Sequence, residues 1–170
     1  MRIERLTEDD WTRLRDIRLT GLRTDPWAFG SSLAREEGFK EAHWRMRLRS
    51  GAWFLAVDDE VAAGLVSAIV EPGAAEDDRH VMALWVDPAH RRRGLAAALL
   101  DAVAQWAVEE GARTVSLWAV EGNDAARAAY RGSGFEATGV SMPLARDPGV
   151  VEHRWVRSLD QQPPASLRRP

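Results

Sequence analysis

VMALWVDPAHRRRGLA, Val81 to Ala96, carries an apolar run through a turn into three arginines and a glycine. Val81 to Val86 has a β-branched residue at each end and Trp85 inside, and Asp87-Pro88 stops it, the pattern of a buried strand. From Leu95 the period changes. Leu95, Leu99, Ala102, Val103 and Trp106 recur at helical spacing, with Asp101, Gln105 and Glu109 opposite them and Gly111 as the stop. A helix opening near Arg93 and Gly94 leaves its first four N–H groups without intrahelical partners, at the positive end of its macrodipole. A phosphate suits such an end. Gly94 and Ala96 keep bulk away from the amides, and Arg91, Arg92 and Arg93 add charge around the same point. The stretch predicts an anion site made largely of backbone.

Outward from it, the periods alternate. Upstream, Thr7 with Asp10 makes a start like a capping box for a helix carrying Trp11, Leu14, Ile17 and Leu22. Thr24-Asp25-Pro26 breaks it, and Trp27-Ala28-Phe29-Gly30 leads into a second helical stretch with Trp44, Met46 and Leu48 that ends at Ser50-Gly51. Ala52 to Val57, the acidic turn Asp58-Asp59-Glu60 and Val61 to Val70 form a β-hairpin pattern, followed by a polar loop from Glu71 to Asp78. Downstream come a strand over Thr114 to Val120, a short helix opened by Asn123, and strands near Phe135 to Gly139 and Val151 to Val156. The order is strand, two helices, three strands, helix, strand, helix, two strands: a mixed α/β layer around one central sheet. Residues 1–159 are expected to form one domain, and the proline-containing stretch 160–170 a disordered tail.

At 170 residues the chain suits one domain with a sizeable core. Its net charge of -3 argues against a nucleic-acid partner in spite of the local arginines. Without cysteine there is no disulfide framework, no Cys-based metal site and no thioester acyl-enzyme. No apolar run approaches the roughly 18 residues of a membrane span, and MRIERLTEDD has no signal-peptide core, so no membrane partner and a cytoplasmic location are expected. His43, His80, His90 and His153 lack metal-ligand spacing, and no metal is expected. Of the eight tryptophans, Trp11, Trp44, Trp53, Trp106 and Trp118 lie on apolar stripes or runs and are expected in the core.

Arg91-Arg92-Arg93-Gly94-Leu95-Ala96 fits an R/Q-x-x-G-x-G/A pattern, and Asn123-Asp124-Ala125-Ala126-Arg127-Ala128-Ala129-Tyr130 with Gly134-Phe135 fits N-x-x-A-x-x-x-Y followed by a G-F pair. In that order and at that separation they resemble the GCN5-related N-acetyltransferases (GNAT family), over essentially Met1 to Leu159. The resemblance implies the acyl-CoA N-acyltransferase fold, in which the strand before the pyrophosphate loop splays from the strand after the long helix and the pantetheine arm lies in the gap. It implies acetyl-CoA as cosubstrate, with the pyrophosphate on the main chain of Arg91 to Ala96. It also implies main-chain contacts to the pantetheine at Trp85 and Val86, whose side chains are read as core, and coenzyme contacts at Asn123, Ala126 and Tyr130. Asn123 is equally a helix N-cap.

By the same resemblance, the Tyr130 hydroxyl lies near the coenzyme sulfur as a general acid, and a backbone N–H near Val86 polarises the thioester carbonyl. The base is implied at the start of the strand before the loop, where this chain has His80, a residue type that titrates near neutrality and is equally at home on a surface. Glu36, Glu37, Glu71 and Glu121 are the other candidates, the Glu36-Glu37 pair being suited to a cationic amine if it borders the cleft. The reaction is direct attack of an amine on acetyl-CoA. Small amines, antibiotics, peptide N-termini and lysine side chains all remain open as acceptors, since LRDIRLTGLRTDPWAFGSSLAREE (Leu14 to Glu37) resembles a bacterial subgroup whose acceptors the pattern does not specify. The alternative is a non-catalytic acyl-CoA-binding or regulatory module of the same fold. A homodimer is compatible with the family, and Val150-Val151 with Trp155-Val156 could pair across a two-fold axis or internally.

Overall fold

The alternating periods become, in chain order, β1 (Arg2–Arg5), α1 (Trp11–Thr24), α2 (Leu33–Glu36), α3 (Glu41–Ser50), β2 (Ala52–Asp58), β3 (Val61–Ile69), β4 (Asp78–Val86), α4 (Leu95–Glu109), β5 (Thr114–Val120), α5 (Asp124–Gly132), β6 (Glu136–Leu144) and β7 (Asp147–Ser158) in a computed structural model that describes residues 1–160. The strands form one mixed sheet in the order β1-β2-β3-β4-β5-β7-β6. Every neighbouring pair is antiparallel except β4 with β5, the two strands joined through α4. A parallel pair needs such a crossover, because its strands run the same way.

Each face of the sheet has its own core. Leu95, Leu99, Val103 and Ala107 of α4 pack with Phe54, Val66, Val81, Val115 and Leu117. On the other face Leu14, Ile17, Leu22 and Trp44 from α1 and α3 pack with Trp53, Leu55, Leu65 and Trp85. The hairpin β2–β3 turns through Asp59 and Glu60, both at positive φ, which matches the twist of the flanking strands.

Four boundaries differ from the sequence pattern. The second helical stretch is two helices, because Ser32 caps α2 by accepting from the Arg35 N–H at 3.3 Å and the chain leaves the helical path before Glu41. β4 begins at Asp78, earlier than the apolar run, because Asp78, Arg79 and His80 pair with Thr114, Val115 and Ser116. The closing strands are longer than their apolar segments: β6 is an exposed edge with little apolar signal, and β7 lies between β5 and β6. The apolar residues of β7 therefore pair internally rather than across a two-fold axis. Of the expected tail, residues 161–170 lie outside the described residues, and Asp160 accepts from Arg113 at 3.2 Å.

One buried polar cluster joins the helices on the α1 face. Glu36, fully buried, accepts from Arg18 at 3.0 and 2.8 Å and from Arg47 at 2.8 Å. Burial alone would raise the Glu36 carboxyl, but the two guanidinium groups outweigh it and hold it at about 2. Glu36 is thus a structural counter-ion rather than an acceptor-binding residue, and Glu37 beside it is exposed. Replacing Glu36 by Ala strands two cations, and we expect a loss of about 3–5 kcal/mol in urea unfolding. Because the folded carboxyl is depressed, its contribution is present above the ordinary value of 4.5 and is lost as pH falls towards about 2, which acid-unfolding curves of wild type and Glu36→Gln will separate.

Candidate active site

β4 and β5 exchange hydrogen bonds only where Asp78 to His80 face Thr114 to Ser116, and beyond that they diverge. A bulge in β4 contributes to the divergence. Leu65 faces Trp85 and Ser67 faces Met82, so Val66 alone stands opposite both Ala83 and Leu84. Ala83 sits at φ 54°, a left-handed conformation that costs a non-glycine residue about 1–2 kcal/mol. The extra residue reverses the alternation, so that Trp85 turns to the α1 face and its Nε1–H reaches Asp25 at 2.8 Å.

The divergence opens a cavity of about 870 Å³ between the strands. Trp85, Val86, Arg91, Arg92, Gly94 and Leu95 line it from β4 and the start of α4. Ala96, Asn123, Ala126 and Tyr130 complete the set expected from the sequence. Arg93 does not line it, since its guanidinium turns to Asp58 at 2.6 Å and Asp59 at 3.5 Å in the β2–β3 turn. Arg91 is also committed, with Nε donating to the Val86 carbonyl at 3.0 Å and Nη2 paired with Asp25. Arg92 alone of the three has no carboxylate partner among the described residues.

The loop backbone fits an anion. Arg92 at φ 61° and Gly94 at φ 82° turn the chain so that α4 starts abruptly at Leu95. Ala98 is the first residue after the loop whose N–H finds a backbone carbonyl, that of Gly94 at 3.0 Å. The amides from Arg92 to Ala97 have no backbone partner among the described residues, which leaves a nest of donors at the positive end of the helix. Adding a Cβ to Gly94 meets nothing within 4 Å, so the glycine is required by its φ and by ligand approach rather than by packing. Deeper in the cavity, Ser133 is buried and its Oγ has no partner, a further donor for a polar ligand.

Asn123 caps α5, its Oδ1 accepting from the Ala126 N–H at 3.2 Å. Tyr130, on α5, packs against Phe135 and Trp155 on the α4 face, with ring centroids 6.2 and 6.5 Å away. Burial raises its phenol above the ordinary value of 10, so it stays protonated at neutral pH.

His80 is placed differently from the expectation. It lies inside β4, buried, and is absent from the cavity lining. Its Nδ1 is 3.0 Å from Ser116 Oγ, which donates to Asp78 and accepts from Arg154 Nη2 at 2.9 Å. With its own proton given to Asp78, the Ser116 hydroxyl is left to accept from a neutral His80 at Nδ1–H. Burial lowers the His80 pKa, against the pull of Glu71 at 3.9 Å. Glu71 is held by Arg154 at 3.0 Å, and Glu121 faces His153 at 3.7 Å. None of the four glutamates expected from the sequence lines the cavity.

Among the lining residues that sequence reasoning missed, Trp118, Arg146 and Glu152 matter most for the chemistry of the cavity. Trp118, expected in the core, is half-buried on the cavity wall, with the Arg154 guanidinium 5.5 Å from its ring centroid. Arg146, in the β6–β7 turn, donates to the carbonyls of Trp27 and Phe29. Glu152, on β7 opposite Val120, also lines the cavity, and burial raises its carboxyl while Arg146 opposes the rise. Their roles depend on strand register and a distant turn, which no local motif carries.

A family model described as the acetyltransferase (GNAT) family matches residues 11–135. The chain belongs to that family. It is similar to human N-acetyltransferase 8, 34% identical over 96 residues, which is 55% of this chain and 42% of the relative. The chain spans about half the length of the curated relatives it matches, 42% and 59%. The fold is that of a GNAT acetyltransferase from Streptococcus pneumoniae, with TM-score 0.75 at 18% identity over 92% of this chain and 98% of that one. The yncA protein of Salmonella typhimurium, solved with its cofactor acetyl-CoA, aligns with TM-score 0.72 at 17% identity over 96% of each chain. Among the described residues of this GNAT chain no His, Asp and Glu side chains converge as a metal set, and no helix is long and apolar enough to cross a membrane.

The unequal commitments of the arginines lead to a direct comparison by calorimetric titration with coenzyme A. Arg92→Ala should weaken binding by about 5- to 50-fold, as expected for a charge-assisted phosphate contact. Arg93→Ala should change it by less than about twofold, because its charge is held by two aspartates.

Proposed function

We propose that this GNAT chain is an acetyl-CoA-dependent N-acetyltransferase that moves the acetyl group to an amine by direct attack. The observation that carries the proposal is that the loop of free amides and the Tyr130 phenol line a single cavity in the β4–β5 gap. The amides of Arg92 to Ala97 would hold the pyrophosphate, with Arg92 adding charge. The pantetheine would extend along the β4 edge, and Asn123, Ala126 and Ser133 would border it from the α5 side. The Val86 carbonyl faces the loop and accepts from Arg91, and the Val86 N–H on the same strand edge would be the donor that polarises the thioester carbonyl.

Tyr130 would protonate the leaving thiolate. An alkyl thiol such as that of cysteine has a pKa of about 8.5, and a phenol raised above 10 by burial remains a proton donor at neutral pH. As the C–S bond breaks, the growing negative charge on sulfur improves that transfer. The chain has no cysteine, which excludes an enzyme thioester, and in this reading the amine itself is the nucleophile.

Tyr130→Phe keeps the ring and its contacts with Phe135 and Trp155 but removes the proton donor. Thiol release from acetyl-CoA in the presence of an amine panel should fall by about 100-fold in kcat, while coenzyme A affinity stays within about twofold. Unchanged turnover in this variant would remove Tyr130 as the acid. Coenzyme A binding without thiol release in the wild type across the panel would favour a non-catalytic module.

A further inference from the structure

Two ends of the cavity differ in chemistry. Towards α4 and α5 it is walled by backbone amides, Arg92 and Asn123. Away from them, on the α1 face, the walls are Trp27, Phe29, Trp118 and Leu144, with Glu152 among them. The β5–β7 register fixes which way these residues point. Val115, Leu117 and Trp155 belong to the core under α4, so Trp118, Arg154 and Glu152, which alternate with them, emerge on the opposite face. Tyr130, packed against the α4-side core, and Glu152 therefore reach the gap from opposite faces of the sheet.

Glu152 is the one carboxylate among the described residues that line the cavity. It has no hydrogen-bond donor or ion-pair partner there. Its cationic neighbours are engaged elsewhere: Arg146 on the Trp27 and Phe29 carbonyls, Arg154 on Glu71, Asp78 and Ser116. A half-buried carboxylate left open at the end of an apolar pocket calls for a cationic partner. Trp27 stands at the rim of the pocket, its side chain held out at 82% exposure while Arg146 pins its carbonyl. An indole presented to solvent at a cavity rim, with the half-buried Trp118 on the same cavity wall, offers an apolar surface to a ligand body, while the Phe29 ring is buried in the core behind them.

We infer that this end of the cavity takes a primary amine carried on an apolar body of aromatic size, with Glu152 as the catalytic carboxylate that receives its ammonium group and removes its protons. The inference rests on the acetyltransferase reading and supplies the acceptor class and base that reading lacks. In the step, Glu152 takes a proton from the ammonium and releases it to solvent, and the freed lone pair forms the C–N bond at the thioester carbonyl. The second nitrogen proton leaves by the same carboxylate as the C–S bond breaks and its electron pair departs on sulfur. Tyr130 protonates the sulfur and recovers a proton from solvent. One proton is released per acetyl group transferred from an ammonium acceptor.

The test compares 2-phenylethylamine with ethanolamine and triglycine in a thiol-release assay, with coenzyme A titrated calorimetrically into each protein. We expect kcat/KM for 2-phenylethylamine to exceed that for ethanolamine by roughly 10- to 100-fold, the range given by burying one aromatic group. Glu152→Gln should lower kcat by about 100-fold or more with coenzyme A affinity unchanged. Trp27→Ala, at an exposed position that folding does not need, should reduce the preference for the aromatic amine about tenfold. Preferred turnover of ethanolamine or triglycine would overturn the acceptor class, and undiminished kcat in Glu152→Gln would overturn the base, each with the acetyltransferase reading intact. Coenzyme A binding with no turnover of any of the three amines would instead overturn the acetyltransferase reading itself.

Discussion

Two neighbouring parallel strands that stop pairing after three residues set the conditions for everything else in this protein. Past His80 and Ser116, the facing edges of β4 and β5 carry backbone groups that a continuous sheet would have satisfied. Such edges are costly unless another extended polar chain can lie between them, and a pantetheine arm with its amides is such a chain. The bulge at Ala83 and Leu84 helps keep the strands apart, since it bends β4 and exchanges the faces of the residues after it. That exchange also sends Trp85 to Asp25, and Asp25 holds Arg91. One inserted residue thus fixes the path of the strand, the wall of the cavity and the first arginine of the loop.

The gap is closed at its narrow end and roofed at its wide end by different means. At the narrow end Asp78 accepts from Thr114 at 2.7 Å, from Ser116 and from Arg154 at 3.2 Å, binding β4, β5 and β7 through buried polar groups. Such a network stabilises only when every member is satisfied, so it favours one arrangement of the three strands. Arg154 also lies over Trp118 and supports the cavity wall. At the wide end Arg146 carries the β6–β7 turn across to the Trp27–Phe29 segment through backbone carbonyls alone. The cavity is therefore a product of strand divergence bounded by two arginines, neither of which belongs to the phosphate loop.

The central strand, the loop and both helices that follow were legible because each is a local pattern: a change of period, a glycine at a positive φ, an asparagine cap. Gly94 and Asn123 do the local work their types suggest, and the strand Thr114 to Val120 matches its apolar run. What was not legible depends on partners far along the chain. Arg91, Arg92 and Arg93 look equivalent in sequence, but Asp25 and Asp58 separate them, and both aspartates are more than thirty residues away. His80 begins no strand because Asp78 and Arg79 extend β4 by pairing with β5, a gain that no hydropathy pattern reports. Trp118 sits in an apolar run, yet the unpaired strand edge beside it turns an expected core residue into a wall. Glu152 gives no signal at all until β7 is known to lie beside β5.

That last dependence makes strand register the determinant of the acceptor side. Along β7 the side chains alternate between the faces, Trp155 entering the α4 core and Glu152 and Arg154 emerging on the other, so a slip of one residue would exchange the two sets. Trp155 would then leave the core, and His153 would stand where Glu152 lines the cavity. Two independent contacts oppose the slip: Trp155 packed with Leu117 and Phe135 on one face, and Arg154 bound to Asp78 and Ser116 on the other. The carboxylate in the pocket is thus positioned by two residues that follow it on β7, the cationic Arg154 and the apolar Trp155, that have no part in the chemistry. This explains how a catalytic group can sit on a late strand with no motif of its own. Its place is set by residues selected for the core and for the buried polar network, and the cavity supplies the reason for it to be acidic.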